Sequence, residues 1–303
     1  MVDDSFDPRA NDTREPSDAR ETSAQPGHVF ARGLDLPHGD DRERVHVHQH
    51  DGDYDLRGSD VRALATVGAF RVVTADDLRD AESRAGEPRH GDLEHLKSAG
   101  LVRVVAPVER DGQRSTIVAL TDRGRELLES RRTSDADTRQ TFYAGAVKSR
   151  ELSHDAQVYR AFLRVDARLR AEGSRVERVV LDYELKREYQ QFLQQGNRGR
   201  SDSDGRPDRS AEAVREWARE HDLPIVDGHV QFPDVRVEYE RADGRREVEN
   251  VEVTTVHYRG RHAAGKAAAG FTRFRGKASR VGGAKARPGG SPFDPHSAEE
   301  LLS

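Results

Sequence analysis

Cysteine is absent from the 303 residues. That excludes disulfides and thiolate metal sites, and it fits a reducing compartment. Tryptophan occurs once, and hydrophobic residues make up only 34% of the chain against 35% charged. The cores must therefore be small, and part of the chain is expected to be disordered. No apolar run approaches a membrane span, and the acidic N-terminus does not read as a signal peptide. The expectation is a cytoplasmic protein with no membrane partner. No phosphate-binding glycine loop, dinucleotide fingerprint or Ser-His-Asp order stands out.

What is present is charge, unevenly spread. Arginine far outnumbers lysine, which reflects the base composition of the gene first and phosphate chemistry second. Residues 1–55 hold fourteen Asp and Glu against six Arg. Between Glu252 and Asp294 there is no acidic residue but nine cations: Arg259, Arg261, Lys266, Arg273, Arg275, Lys277, Arg280, Lys285 and Arg287. Such separation points to a basic surface for polyanions and an acidic arm elsewhere, against the plainer reading of a solvated tail.

The length suits two modest domains with tails. Residues 1–54 lack apolar periodicity and are expected to be a disordered acidic, His-rich arm. It ends in His46, His48 and His50, alternate residues whose imidazoles share one side of an extended segment and can ligate a metal. A solvated, weakly metal-binding tract is the plainer reading. Residues 55–132 form the clearest domain. Helices are expected over Asp55–Val67, from an N-cap at Thr74 to about Ala85, and over His90–Ala99. A hairpin follows, Leu101–Val108 and Ser115–Leu120 about the Arg110-Asp111-Gly112 turn, and Thr121 caps a last helix. Residues 133–150 read as a linker. In 151–275 a helix begins at the N-cap Ser153 and runs to Ala171. A strand, Glu177–Leu181, is followed by helices Tyr183–Gln195 and Ala211–Glu220, with Trp217 as core anchor. Two strands, Gln231–Glu240 and Arg245–Thr255, then flank the turn Ala242-Asp243-Gly244. A helix is expected over His262–Phe274, then a flexible basic tail over 276–303.

The order of the first domain, with Leu96-Lys97-Ser98-Ala99-Gly100-Leu101-Val102 and Leu120-Thr121-Asp122-Arg123-Gly124-Arg125-Glu126-Leu127-Leu128 at its joints, resembles the winged helix-turn-helix group. The resemblance implies a third helix in the major groove and a wing on the backbone. Arg89, His90, His95 and Lys97 would face DNA from the helix, and Arg110 and Arg114 from the wing. Asp92 and Glu94 share that helix, so a protein-contact module is the competing reading.

In the second domain, Pro233-Asp234 opens one strand and Glu252-Val253-Thr254 lies on its partner. This resembles the PD…ExK core of restriction-endonuclease-like enzymes, which implies a mixed-sheet α+β or α/β fold. It also implies two carboxylates holding magnesium, with a lysine two positions beyond the second. Asp234 and Glu252 are the carboxylate candidates, and Glu184 is a third metal ligand candidate. Thr254 stands where the lysine is expected; Lys266 can replace it only from elsewhere in the fold. His154, beside Asp155 at a helix start, is a general-base candidate, although a helix-terminal histidine is more often structural.

The two domains in this order resemble the replication-relaxation family of plasmids and conjugative elements. Ser153–Tyr159, Val179–Tyr189, Pro233-Asp234 and Val251–Thr255 leading to Gly265-Lys266 carry that likeness. It implies a role with plasmid or mobile-element DNA in replication or transfer, and no established reaction. The long N-terminal arm and the insert near residues 196–222 depart from the family pattern. The leading expectation is a protein that holds double-stranded DNA without robust catalysis and needs no cofactor. Arg259, Arg261, Arg273, Arg275 and Lys277 would add phosphate contacts. The alternatives are a magnesium-dependent nuclease using Asp234, Glu252 and Lys266, and an interaction scaffold for a relaxase or replication initiator.

Overall fold

A computed structural model describes residues 28–38, 43–50, 52–78, 90–110, 112–133, 140–145, 148, 151–197, 209–254, 265–266, 268–276 and 280–281. The chain is mixed α+β. In order, the elements are α1 (His28–Ala31), β1 (Val45–Gln49), β2 (Gly52–Leu56), α2 (Gly58–Ala69), β3 (Val72–Thr74), α3 (His90–Ser98), β4 (Val102–Arg110), β5 (Gln113–Leu120) and α4 (Asp122–Ser130). Then follow α5 (Leu152–Ala171), β6 (Arg175–Leu181), α6 (Asp182–Gln194), α7 (Ala211–Glu220), β7 (Ile225–Val226), β8 (His229–Val230), β9 (Val235–Glu240), β10 (Arg246–Thr254), β11 (Thr272–Arg275) and β12 (Arg280–Val281).

The first half packs α2, α3 and α4 with a sheet of order β12-β4-β5-β3. Its local structure follows its sequence. Thr121 caps α4 by accepting the Gly124 N–H at 3.0 Å, worth about 1 kcal/mol. Its hydroxyl also lies 2.7 Å from the Gly100 carbonyl, tying α4 to the end of α3. Gly124 is required by close approach, since a Cβ there would lie 2.2 Å from the Leu101 carbonyl oxygen.

The second half is a sheet of order β11-β10-β9-β6. Neighbours β6/β9 and β9/β10 run antiparallel, while β10/β11 run parallel. A parallel pair needs a crossover rather than a hairpin, and the short helical turn carrying Gly265 and Lys266 lies within it. Val235, Val237, Val251 and Val253 form the face that shares a core with Phe162, Val165 and Leu169 of α5. A satellite core of Leu185, Trp217, Ala218 and Leu223 lies under α6 and α7.

Several expectations change. Thr272–Phe274, the end of the expected helix, lies in the strand Thr272–Arg275. Gly270 at φ 76° ends the turn, and alternation then buries Phe271 while Phe274 packs beneath Arg164 of α5. Thr74 closes β3, and a 3-10 turn, Ala75–Leu78, follows it. The expected continuation to Ala85 lies outside the described residues. α5 starts at Leu152, with Glu151 rather than Ser153 at the cap position.

Within the arm expected to lack structure, Phe30 is buried between Phe70 and Phe162, with ring centroids 5.3 Å from each. The β1–β2 ribbon lies in the same arm. Within the expected linker, Phe142 is buried, and the Gln140 amide bonds both the N–H and the carbonyl of Val179 at 3.0 Å. In the expected tail, β12 pairs with β4. One apolar core therefore runs through both halves. Parts of the segments assigned as arm and linker belong to that core, and their isolated aromatics carry no periodic signal that would have shown it.

Candidate functional site

Asp234 sits just before β9, at the junction of three elements. The β9–β10 ladder ends at Val235↔Val251, so the N–H of Val253 lies beyond it and donates to Asp234 Oδ2 at 2.8 Å. The Asp182 N–H, at the start of α6, donates to the Asp234 carbonyl at 3.3 Å. The remaining carboxylate oxygen, Oδ1, faces His154 Nε2 at 3.4 Å and Lys266 Nζ at 3.3 Å.

Glu252 follows Val251 on β10 and points to the opposite face of the sheet. Lys266 Nζ lies 2.7 Å from its Oε1 and 2.8 Å from its Oε2. Both carboxylates are withdrawn from solvent, Asp234 at 8% exposed and Glu252 at 2%. The expected trio Asp234, Glu252 and Lys266 is thus brought together, with the cation arriving from the crossover. Thr254 donates its hydroxyl to the Phe274 carbonyl at 3.3 Å, which ties β10 to β11. The parallel register sets Arg273 beside Glu252 and Arg275 beside Thr254, both exposed on the site's side of the sheet.

Burial alone would raise the Asp234 pKa. The hydrogen bond and charge of His154, the charge of Lys266 and the Val253 N–H outweigh it and hold the group at about 2. Conversely, burial pulls His154 down, but its bond to Asp234 and the charges of Asp234 and Asp155 leave it above its ordinary value. Burial pushes Asp155 up to about 6 despite Arg71 at 3.2 Å. Arg71 holds φ 63°, a left-handed backbone uncommon outside glycine.

His154, Asp155 and Asp234 line a cavity of about 520 Å³ between the two halves. Arg71 enters it from the first half, and Lys148, Lys186 and Tyr183 complete its rim. Tyr183 is 54% exposed, the most open of the large apolar side chains among the described residues.

Glu184 is engaged elsewhere. Its Oε1 accepts from Arg178 Nη2 at 2.6 Å and its Oε2 from the Tyr143 hydroxyl at 3.1 Å. Asp182 is the α6 carboxylate that lines the cavity, where it accepts from Lys186 Nζ at 2.8 Å. Among the expected DNA contacts, His95 Nε2 lies 2.7 Å from the Asp55 carbonyl, so it secures β2 to α3. Lys97 pairs with Glu94 at 3.3 Å, and Arg114 is exposed on β5. Lys97 and Arg114 line a groove of about 780 Å³ between α3 and the β4–β5 hairpin. Arg89, Arg259, Arg261 and Lys277 lie outside the described residues, as do the side chains of His90 and Arg110.

Sequence reasoning named His154 as a general-base candidate beside Asp155 but could not select Asp234 as its partner. Arg71, Lys148, Tyr183, Asp182 and Lys186 were missed, because each lies in an ordinary amphipathic or turn context. The chain matches no family model, no curated protein and no solved structure. Among the described residues, no helix is long and apolar enough to cross a membrane.

Proposed function

We propose that the protein binds DNA through its first half and carries a magnesium-dependent phosphodiesterase site in its second. The observation that carries this is the convergence of Asp234, Glu252 and Lys266 at the end of β10. The two buried carboxylates are bridged by one cation, the Lys266 ammonium, which magnesium would have to displace from the Glu252 oxygens. An all-oxygen donor set suits magnesium. Magnesium bound there would polarise the scissile phosphate and acidify a water molecule.

The protein's own residues have separate tasks. Asp234 Oδ1 and the Glu252 carboxylate supply the oxygens. The Val253 N–H fixes Asp234, so little reorganisation is needed when the substrate arrives. Lys266 supplies the charge that Thr254 cannot, and Arg273 and Arg275 offer phosphate contacts on the same side. His154, biased toward its protonated form, directs Nε2 at Asp234 Oδ1 and so holds that carboxylate ionised beside the cavity.

The strand order and the parallel β10–β11 joint support reading this half as a restriction-endonuclease-like scaffold. In the first half, α2, α3, the β4–β5 hairpin and α4 support a winged-helix reading. An action on plasmid or mobile-element DNA rests on the sequence resemblance alone. A second reading, holding DNA without cutting it, is favoured by the depth of Glu252.

The two readings separate in one experiment. Purified protein is incubated with supercoiled and branched DNA in magnesium or manganese, and binding is followed by electrophoretic shift. Metal-dependent cleavage should fall by roughly 10²–10³-fold or more in Glu252→Gln, the scale of losing one contact to transition-state charge. The shift should persist in that variant. DNA left intact by the unsubstituted protein rejects the phosphodiesterase reading, and a shift insensitive to salt rejects the DNA-binding one.

A further inference from the structure

The β1–β2 ribbon takes no part in the site above, and its two faces differ sharply. Val47, Tyr54 and Leu56 are buried in the main core. The opposite face carries His46 and His48, adjacent on one side because strand side chains alternate. The antiparallel register places His46 opposite Asp55 and His48 opposite Asp53.

The side chains meet accordingly. His46 Nδ1 lies 2.8 Å from Asp55 Oδ1, and His46 Nε2 lies 3.6 Å from Asp53 Oδ2. His48 Nδ1 lies 3.1 Å from Asp53 Oδ1. The two imidazole rings are 4.5 Å apart, edge to face. One ligand atom from each of His46, His48 and Asp53 falls within 4.8 Å of the other two.

We propose that His46, His48 and Asp53 form a metal site for a borderline divalent ion of the zinc class. Two imidazoles and one carboxylate select zinc, nickel or copper over magnesium. Asp55 completes the arrangement. Its bond to His46 Nδ1 orients the ring so that Nε2 faces the ion, the role a carboxylate commonly plays behind a zinc-bound histidine. Three protein ligands leave a coordination position for water.

What separates this from a loose histidine tract is anchoring. Arg131 donates to the His48 carbonyl. Gln49 Nε2 donates to Ser130 Oγ at 3.0 Å, and His95 of α3 holds the Asp55 carbonyl. The ribbon is therefore fixed to both α3 and the end of α4. A bound ion would cross-link β1 to β2 directly beside the helix that the proposed DNA-binding surface uses. His50, at the ribbon's turn, lies outside the cluster.

The test is calorimetric titration of the full-length protein with zinc chloride in excess magnesium, paired with thermal unfolding. One zinc equivalent should bind and raise the melting temperature. His46→Ala/His48→Ala should weaken binding at least tenfold and abolish the shift, and Asp55→Asn should weaken it roughly 10–100-fold. His50→Ala and Glu252→Gln should retain the equivalent. The ligand side chains are exposed, at 50% for His46, 79% for His48 and 53% for Asp53, so the metal-free variants should melt with the parent. Absence of zinc binding by the parent overturns the proposal. So does binding unchanged in the double histidine variant, or binding lost in Glu252→Gln.

Discussion

Between residues 28 and 133, the buried charged side chain among those described is Asp60; between 151 and 276 they are Asp166, Glu184, Asp234, Arg236 and Glu252. The first half resolves its buried charge locally. Asp60 lies in the first turn of α2 and accepts the Arg57 N–H at 2.9 Å, where the helix dipole also favours it. The second half resolves most of its buried charges by pairing across the fold. Glu184 meets Arg178 of β6 and Tyr143 from outside the helix. Arg236 donates to the carbonyls of His221 and Asp222 at 2.6 and 3.2 Å and to Asn250 at 3.0 Å. Asp234 and Glu252 meet Lys266. Burying charge this way is a poor route to stability, because desolvation offsets much of the attraction. Of these groups, Asp234 and Glu252, which share Lys266, are the pair better explained by chemistry than by folding.

That contrast can be broken first at Lys266. Lys266→Met removes the ammonium shared by two buried carboxylates and should cost about 3–5 kcal/mol at neutral pH. Magnesium should restore much of the loss if the carboxylates hold a metal. Urea unfolding with and without the ion measures both, and a metal-independent loss would mark Lys266 as purely structural. In the first half, Phe30→Ala should cost a similar 3–5 kcal/mol, by cavity formation alone and with no dependence on metal. A loss below about 1 kcal/mol would show that α1 is not part of the shared core.

Acid–base behaviour sharpens the comparison at the cavity between the halves. Asp155, raised from 3.8 to about 6, binds its proton more tightly when folded. Its stabilising contribution is full below its unfolded value and is lost as pH rises through about 6. The ionised group should therefore cost about 1–3 kcal/mol at pH 7.5. Asp155→Asn should be the more stable protein there, and the difference should vanish below about pH 4. Asp234 has the opposite sign. Held at about 2, it contributes stability above its unfolded value near 3.8, lost as pH falls toward 2. Unfolding midpoints measured from pH 2 to 8 separate the two groups. The smallest effect belongs to Thr121→Ala, about 1 kcal/mol from the α4 cap and independent of pH and metal. Chemical denaturation measures it.

Legibility in the sequence follows the same division. The Thr121 cap, the Ala242-Asp243-Gly244 turn and the Trp217 anchor were all found by sequence reasoning, whereas the Ser210 cap of α7 was not. Phe30 and Phe142 were not legible as core residues, because single aromatics in polar segments have no period to detect. Glu184 was named as a metal-ligand candidate, and its place on α6 does not reveal that Arg178, on the preceding strand, and the Tyr143 hydroxyl engage its carboxylate. The helix expected over His262–Phe274 failed at Gly270, where a short turn gives way to a strand whose partner is β10.

By itself the sequence did not determine the short strands β1, β2, β3, β7, β8, β11 and β12, but it determined the longer helices, the two hairpins and the residue types available for chemistry. Those depend on periodicity, capping and turn preference within a few residues. The tertiary structure decided which of those residues meet. Lys266 reaches Glu252 through the crossover between parallel strands. His154 reaches Asp234 by the docking of α5 at the end of that sheet, and His46 and His48 reach Asp53 by the register of a ribbon. Register and crossover are properties of paired segments distant along the chain, and no local pattern encodes them.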